Sequence, residues 1–195
     1  MTKSVEFFFD VGSPASYLAW TQLPAICERH GASLQYRPML LGAVFKATGN
    51  QTPSNIVAKG KWMQQDMARF AKRYGVPFKR NPYFPVNTLQ LMRGAIWALQ
   101  NGRLETYLPA VFQAMWVDGA DLNQPDEIKR VLDATGVESG SVLAAVADPA
   151  IKNALIEQTN QAIERGIFGA PTMFVNDEMH FGQDRLDWVE AALSQ

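Results

Sequence analysis

The chain opens on a short apolar run, Val5–Val11, that Asp10 interrupts. Its length and aromatic content predict a buried strand. A helical period follows from Pro14 to about His30 and closes at Gly31, with Pro24 expected to bend it. Alternation returns in "ASLQYRPML", which predicts a second strand over Leu34–Met39. Two strands linked by one helix form a βαβ unit, so they should run parallel.

From about Leu41 to Asn160 the apolar positions recur at helical spacing, and no segment alternates convincingly. "KWMQQDMARFAKRYG" is amphipathic and stops at Gly75; "NTLQLMRGAIWALQNG" has Asn87 or Thr88 as its cap. "LETYLPAVFQAMWVDG", "QPDEIKRVLDATG" and "DPAIKNALIEQTNQAIERG" continue the series, the second with an acidic first turn. The proline-rich stretch from Val76 to Pro85 reads as a loop. Alternation returns in "TMFVND" and "EMHFG", two short strands around a tight turn at Asn176-Asp177. A last helix, "DRLDWVEAALSQ", has Asp184 near its cap. The order βαβ, helical block, ββα predicts an α/β sheet with an all-helical insertion. The expected division is 1–45 and 159–195 for the sheet-bearing parts and 46–158 for the insertion.

Composition narrows the function. The 195 residues carry 47% hydrophobic and 19% charged side chains, enough for a sizeable core. A formal net charge of -1 argues against nucleic acid and membrane surfaces as partners. Neither a signal peptide nor a spanning run is evident, which makes a soluble cytoplasmic protein the expectation. The single cysteine, Cys27, excludes an internal dithiol cycle and reads as a core residue. No metal-ligand spacing is present.

The candidate chemistry begins at "DVGSPASYLAW", residues 10–20. A strand leading through a turn into a helix is a common seat for a reactive sulfur, yet Ser13 and Ser16 stand at both ends of the turn. Ser13-Pro14 fits a plain N-cap followed by proline at the first helical position. The same geometry stabilises an anion at the helix N-terminus. A serine nucleophile would need a general base, and neither His30 nor His180 completes a recognisable triad. Three further segments have plain readings: Pro171 as a trans proline starting a strand, Asp184 with Asp187 as a cap, and residues 47–62 ("ATGNQTPSNIVAKGKW") as a solvated loop.

Taken together and in this order, these elements resemble the thioredoxin-like family of kappa-class glutathione transferases and 2-hydroxychromene-2-carboxylate isomerases. The resemblance rests on "FDVGSPASYLA", on "TGNQTPSNIVAKGKW", and on "AIERGIFGAPTMFVNDEMHFGQDRL". It implies a thioredoxin-like fold interrupted by a helical domain, usually in a homodimer, with glutathione as cofactor. It implies that Ser13 faces the glutathione sulfur as the catalytic serine and that Asn50 and Lys59 contact glutathione from the helical side. Ala170 would offer its backbone to the cysteinyl part, ahead of a cis Pro171, and Gln183 with Asp184 would hold the γ-glutamyl end. The implied activity is glutathione-dependent cis–trans isomerisation of a small aromatic carboxylate. A kappa-like transferase or peroxidase and a non-catalytic binding module remain the alternatives. Relatives carry an aromatic residue after Ser-Pro where this chain has Ala15, and more often Ser or Asn at the position of Gln183.

Overall fold

A computed structural model describes residues 3–195. Strand β1 (Ser4–Phe9) leads into helix α1 (Pro14–Arg29) and parallel strand β2 (Ser33–Pro38). The helical block comprises α2 (Leu41–Thr48), α3 (Val57–Tyr74), α4 (Leu89–Gln100), α5 (Leu104–Gln113), α6 (Pro125–Ala134), α7 (Ser139–Ala147) and α8 (Pro149–Glu164). The chain closes with β3 (Thr172–Val175), β4 (Glu178–Phe181) and α9 (Leu186–Leu193). The sheet order is β2-β1-β3-β4, with β1/β3 and β3/β4 antiparallel.

β1 is buried because its alternation places aromatics on both faces. Val5, Phe7 and Phe9 point into the main core with Leu18, Leu23, Met92, Phe112 and Trp116. Phe8 packs on the opposite face with Met39, Val44, Ala162, Ile167 and Phe174, beneath α2 and α8. Full burial of each such side chain contributes about 1.5–3 kcal/mol. The sheet is therefore clamped between helices, and its central strand delivers the residues that follow Phe9 to one end of that sandwich.

Several local expectations shift. The strand stops at Phe9, and the next residue, Asp10, turns its side chain to accept the Gly12 N–H at 2.9 Å. α3 begins at Val57, so Lys59 lies on a helix rather than in a loop. Thr88 stands at the α4 N-cap position, but Asn87 Oδ1 accepts the Leu89 N–H (3.1 Å). The Thr88 hydroxyl is committed elsewhere, to Asp10. Asp184 sits in a 3-10 turn, Gln183–Arg185, and caps nothing; its carboxylate pairs with Arg185 at 3.0 Å. α7 escaped the sequence reading, as did a π-turn at Ala114–Asp118 that follows α5. Gly31 and Gly75 terminate α1 and α3 in the left-handed region, and Asn176-Asp177 forms the tight β3–β4 turn with φ of 49° and 66°.

Candidate active site

Ser13 caps α1. Its backbone is extended (φ -93°, ψ 116°), and its Oγ accepts the Ser16 N–H at 3.1 Å. The same hydroxyl donates to the Ala170 carbonyl at 3.0 Å, 157 residues away. The plain cap and the functional position are thus one geometry. Ser13 is 5% exposed. Pro14 has no N–H, and among the described residues the Ala15 N–H finds no acceptor. An unsatisfied donor at a sixteen-residue helix's positive end favours an anion there.

The Ala170-Pro171 bond is cis, as the resemblance implied; Phe84-Pro85 is cis as well. The loop carrying Ala170 is held from three sides. Asn50 Nδ2 donates to the Phe168 carbonyl (2.8 Å), Thr172 Oγ1 donates to the Gly169 carbonyl (2.9 Å), and the Pro171 carbonyl accepts the Gly182 N–H (3.0 Å). Gly169 packs so closely on the Phe181 ring that an added Cβ would lie 2.7 Å from it. Beside this loop, Gln183 is buried and its carbonyl accepts the Tyr74 hydroxyl at the end of α3.

The structure therefore joins Ser13, Ala170 and Pro171, ties Asn50 to the same loop, and sets Gln183 beside Gly182. Asp184 is exposed next to Gln183, its charge met by Arg185. Lys59 is exposed on the first turn of α3 and makes no hydrogen bond or ion pair with these residues among those described. No histidine reaches Ser13: His30 pairs with Glu190 (3.1 Å), and His180 lies on β4. Cys27 is buried in the main core, where burial pushes its thiol up to about 11.

Sequence reasoning missed the layer beneath the turn. Asp10 is 2% exposed, and its carboxylate accepts three hydrogen bonds, from Gly12 N (2.9 Å), Leu41 N (2.9 Å) and Thr88 Oγ1 (3.1 Å). Burial pushes this carboxyl above the usual aspartate range, and those three bonds oppose the rise. The Asp10 carbonyl in turn accepts the Ser13 N–H at 3.0 Å. Trp116, inside the π-turn, donates its indole N–H to the Val11 carbonyl (2.8 Å), while Val11 N–H points at Met92 Sδ (3.4 Å). Gly12 admits no side chain, since a Cβ would stand 2.8 Å from the Thr88 methyl. The one local signal was Asp10 itself, an acid at the end of an aromatic strand.

A cleft of about 660 Å³ opens between α1, α5 and α6, with Tyr17, Trp20, Pro109 and Arg130 in its walls; none of the candidate residues lines it. The candidate site is instead the surface between the α1 N-terminus, the 168–171 loop and the Gln183 turn. Among the described residues, no group of His, Cys, Asp or Glu is arranged to hold a metal ion.

The profile of the DSBA-like thioredoxin domain matches residues 4–194. The chain belongs to that family. Within it, this DSBA-like chain is 34% identical over 195 residues to a 2-hydroxychromene-2-carboxylate isomerase of Sphingobium xenophagum, covering 99% of both chains. It is 27% identical to human glutathione S-transferase kappa 1, covering 100% of this chain and 92% of the other. A solved structure of a 2-hydroxychromene-2-carboxylate isomerase superposes with a TM-score of 0.88 at 30% identity, over 98% of this chain and 94% of that one. The thioredoxin-like fold with helices inserted between β2 and β3 agrees with these relatives. The DSBA-like chain departs from a dithiol oxidoreductase in the turn itself, which reads Ser13-Pro14-Ala15-Ser16.

Proposed function

We propose that the protein is a glutathione-dependent cis–trans isomerase of the 2-hydroxychromene-2-carboxylate type. One observation carries the reading: a buried serine hydroxyl, within 3.0 Å of the Ala170 carbonyl, occupies the helix N-terminus where no cysteine is present. The sulfur must then arrive with a ligand. The residues present suit glutathione, because the open Ala15 N–H and the Ser13 hydroxyl favour a thiolate and the Ala170 carbonyl is an acceptor for a peptide N–H. Full-length relatives about one-third identical bear the isomerase name, which supports the reaction class.

Glutathione, when bound, supplies a thiolate whose reversible addition to a conjugated double bond leaves a rotatable single bond. The chain's own part is to hold that charge and orient the substrate. Ser13 has one proton, now given to Ala170. With glutathione bound, the Ala170 carbonyl would accept a peptide N–H, and the Ser13 proton would then be free to turn toward the sulfur. The exchange trades a neutral hydrogen bond, worth ~0.5–1.5 kcal/mol net, for one to a charged group, worth ~1.5–3 kcal/mol. Lowering a thiol from ~8.5 by about two units needs ~2.7 kcal/mol. The hydroxyl and the α1 dipole together reach that range. Asn50, Gln183 and Asp184 would bind the rest of glutathione, with Asp184 meeting its ammonium group, and Lys59 would face the substrate carboxylate.

The reading extends to a cytoplasmic homodimer in which 46–158 serves as the helical insertion, supported by the family resemblance. The test is turnover of a chromene carboxylate with and without glutathione: full recovery of glutathione with interconversion of the ring-opened isomers is expected. Consumption of glutathione would favour a kappa-like transferase, the reading that the human relative supports. Binding without turnover would favour a non-catalytic module.

A further inference from the structure

The net charge of -1 conceals a sharp segregation. Between Arg29 and Arg103, twelve of the thirteen charged side chains are basic, Asp66 being the exception; from Leu104 onward, fifteen of twenty are acidic. The basic stretch includes α2 and α3, which border the candidate site. Asn50, just beyond α2, holds the Phe168 carbonyl, and Tyr74, the last residue of α3, holds the Gln183 carbonyl. Lys46 thus precedes one of these contacts by four residues, and Lys72 and Arg73 immediately precede the other. Lys46, Lys59, Lys61, Lys72 and Arg73 are exposed, and among the described residues none has a carboxylate within 4.0 Å. An ordinary solvated helix mixes signs and pairs them at i,i+4; α3 does neither beyond Arg69–Asp66. The acidic half does: Lys129 pairs with Asp133 and Arg130 with Glu127.

We propose that the unpaired basic side chains of α2 and α3 form an electrostatic funnel that steers small organic anions to the Ser13 site. The proposal rests on the glutathione reading. Glutathione carries two carboxylates against one ammonium, and an aromatic carboxylate substrate is also anionic, so both ligands feel the same field. Acidic groups beside the site are already partnered: Asp184 is paired with Arg185, and the Asp10 carboxylate is met by three hydrogen-bond donors. Steering of this kind raises association rates by ~10–10³ and weakens as the Debye length contracts from ~30 Å at 0.01 M to ~8 Å at 0.15 M salt.

The experiment is stopped-flow association of glutathione with the full chain, read by tryptophan fluorescence at 0.01 M and 0.15 M salt. Three single charge reversals are compared: Lys61→Glu and Lys72→Glu on α3, and Lys129→Glu on α6 as a control of equal charge change. At ~12 Å in water, one reversal should slow a singly charged ligand about threefold at low salt. The expected result is that slowing for both α3 variants, none for Lys129→Glu, and convergence of all four proteins at 0.15 M. Binding with a rate indifferent to salt overturns the funnel and leaves the glutathione site standing. Equal slowing in all three variants reduces it to net charge and overturns it too. No binding by any protein at either salt overturns the glutathione reading and the funnel with it.

Discussion

Asp10→Asn tests whether the layer under the Ser13 turn is understood. The Asp10 carboxylate accepts Gly12 N–H through Oδ1, and Leu41 N–H and the Thr88 hydroxyl through Oδ2. An amide has only one acceptor oxygen. In either orientation it sets its NH₂ against a backbone N–H, leaving a buried donor unpaired at a cost of about 1–3 kcal/mol. The pH dependence gives the sharper signature. Burial raises the Asp10 pKa above its ordinary 3.8, so the folded chain holds this proton more tightly than the unfolded chain does. The stability this contributes is fully present below the unfolded value and is lost as pH rises through the folded one. Asparagine does not titrate. The stability gap between wild type and variant should therefore be widest below about pH 4 and narrow as pH rises. Urea unfolding of both proteins across that window measures the gap, and the other carboxylates cancel in the difference. A gap that widens with pH would mean that the three hydrogen bonds outweigh desolvation, and would refute the argument.

Lys59 and Asp184 should fail differently. Asp184→Ala removes binding made equally before and during reaction, so KM for glutathione should rise about ten- to a hundredfold with kcat little changed. Lys59→Ala should lower kcat too, because charge on the sulfur and on the developing enolate changes during reaction in the field of this cation; steady-state kinetics separates the two, and an effect on KM alone would make Lys59 a remote contact. Cys27→Ala should leave activity unchanged and cost about 1–2 kcal/mol of stability from lost packing, read by denaturant unfolding. Neither protein should reduce insulin, and reduction that vanishes with Cys27→Ala would contradict the thiol's placement in the core with a pKa of about 11.

What the sequence disclosed follows the range of the interactions involved. Ser13-Pro14 and the Asn176-Asp177 turn are set by neighbours in the chain, and residue types revealed both. Helical spacing revealed most of the insertion for the same reason. Asp10 was opaque because its partners, Leu41 and Thr88, are 31 and 78 residues away. The same distance hid Thr88, which looked like a cap and is instead a donor to a buried acid. Trp116 needed a π-turn to reach the Val11 carbonyl, and no apolar period signals that extra residue. Lys59 was misread as loop because Pro53 and two asparagines precede it, yet α3 starts at Val57 without any side-chain cap. Asp184 looked like a cap by type, but Arg185 beside it competes for the carboxylate and wins.

The central claim is that Ser13 holds a thiolate that glutathione brings. The most direct measurement is the thiolate absorbance of bound glutathione against pH, in wild type and Ser13→Ala. Loss of the cap should cost about 1 kcal/mol of stability, leaving the variant folded. Loss of a charge-assisted bond of ~1.5–3 kcal/mol should raise the bound thiol's pKa by about one to two units. A variant that is less stable but titrates like wild type would reduce Ser13 to a helix cap and contradict the account.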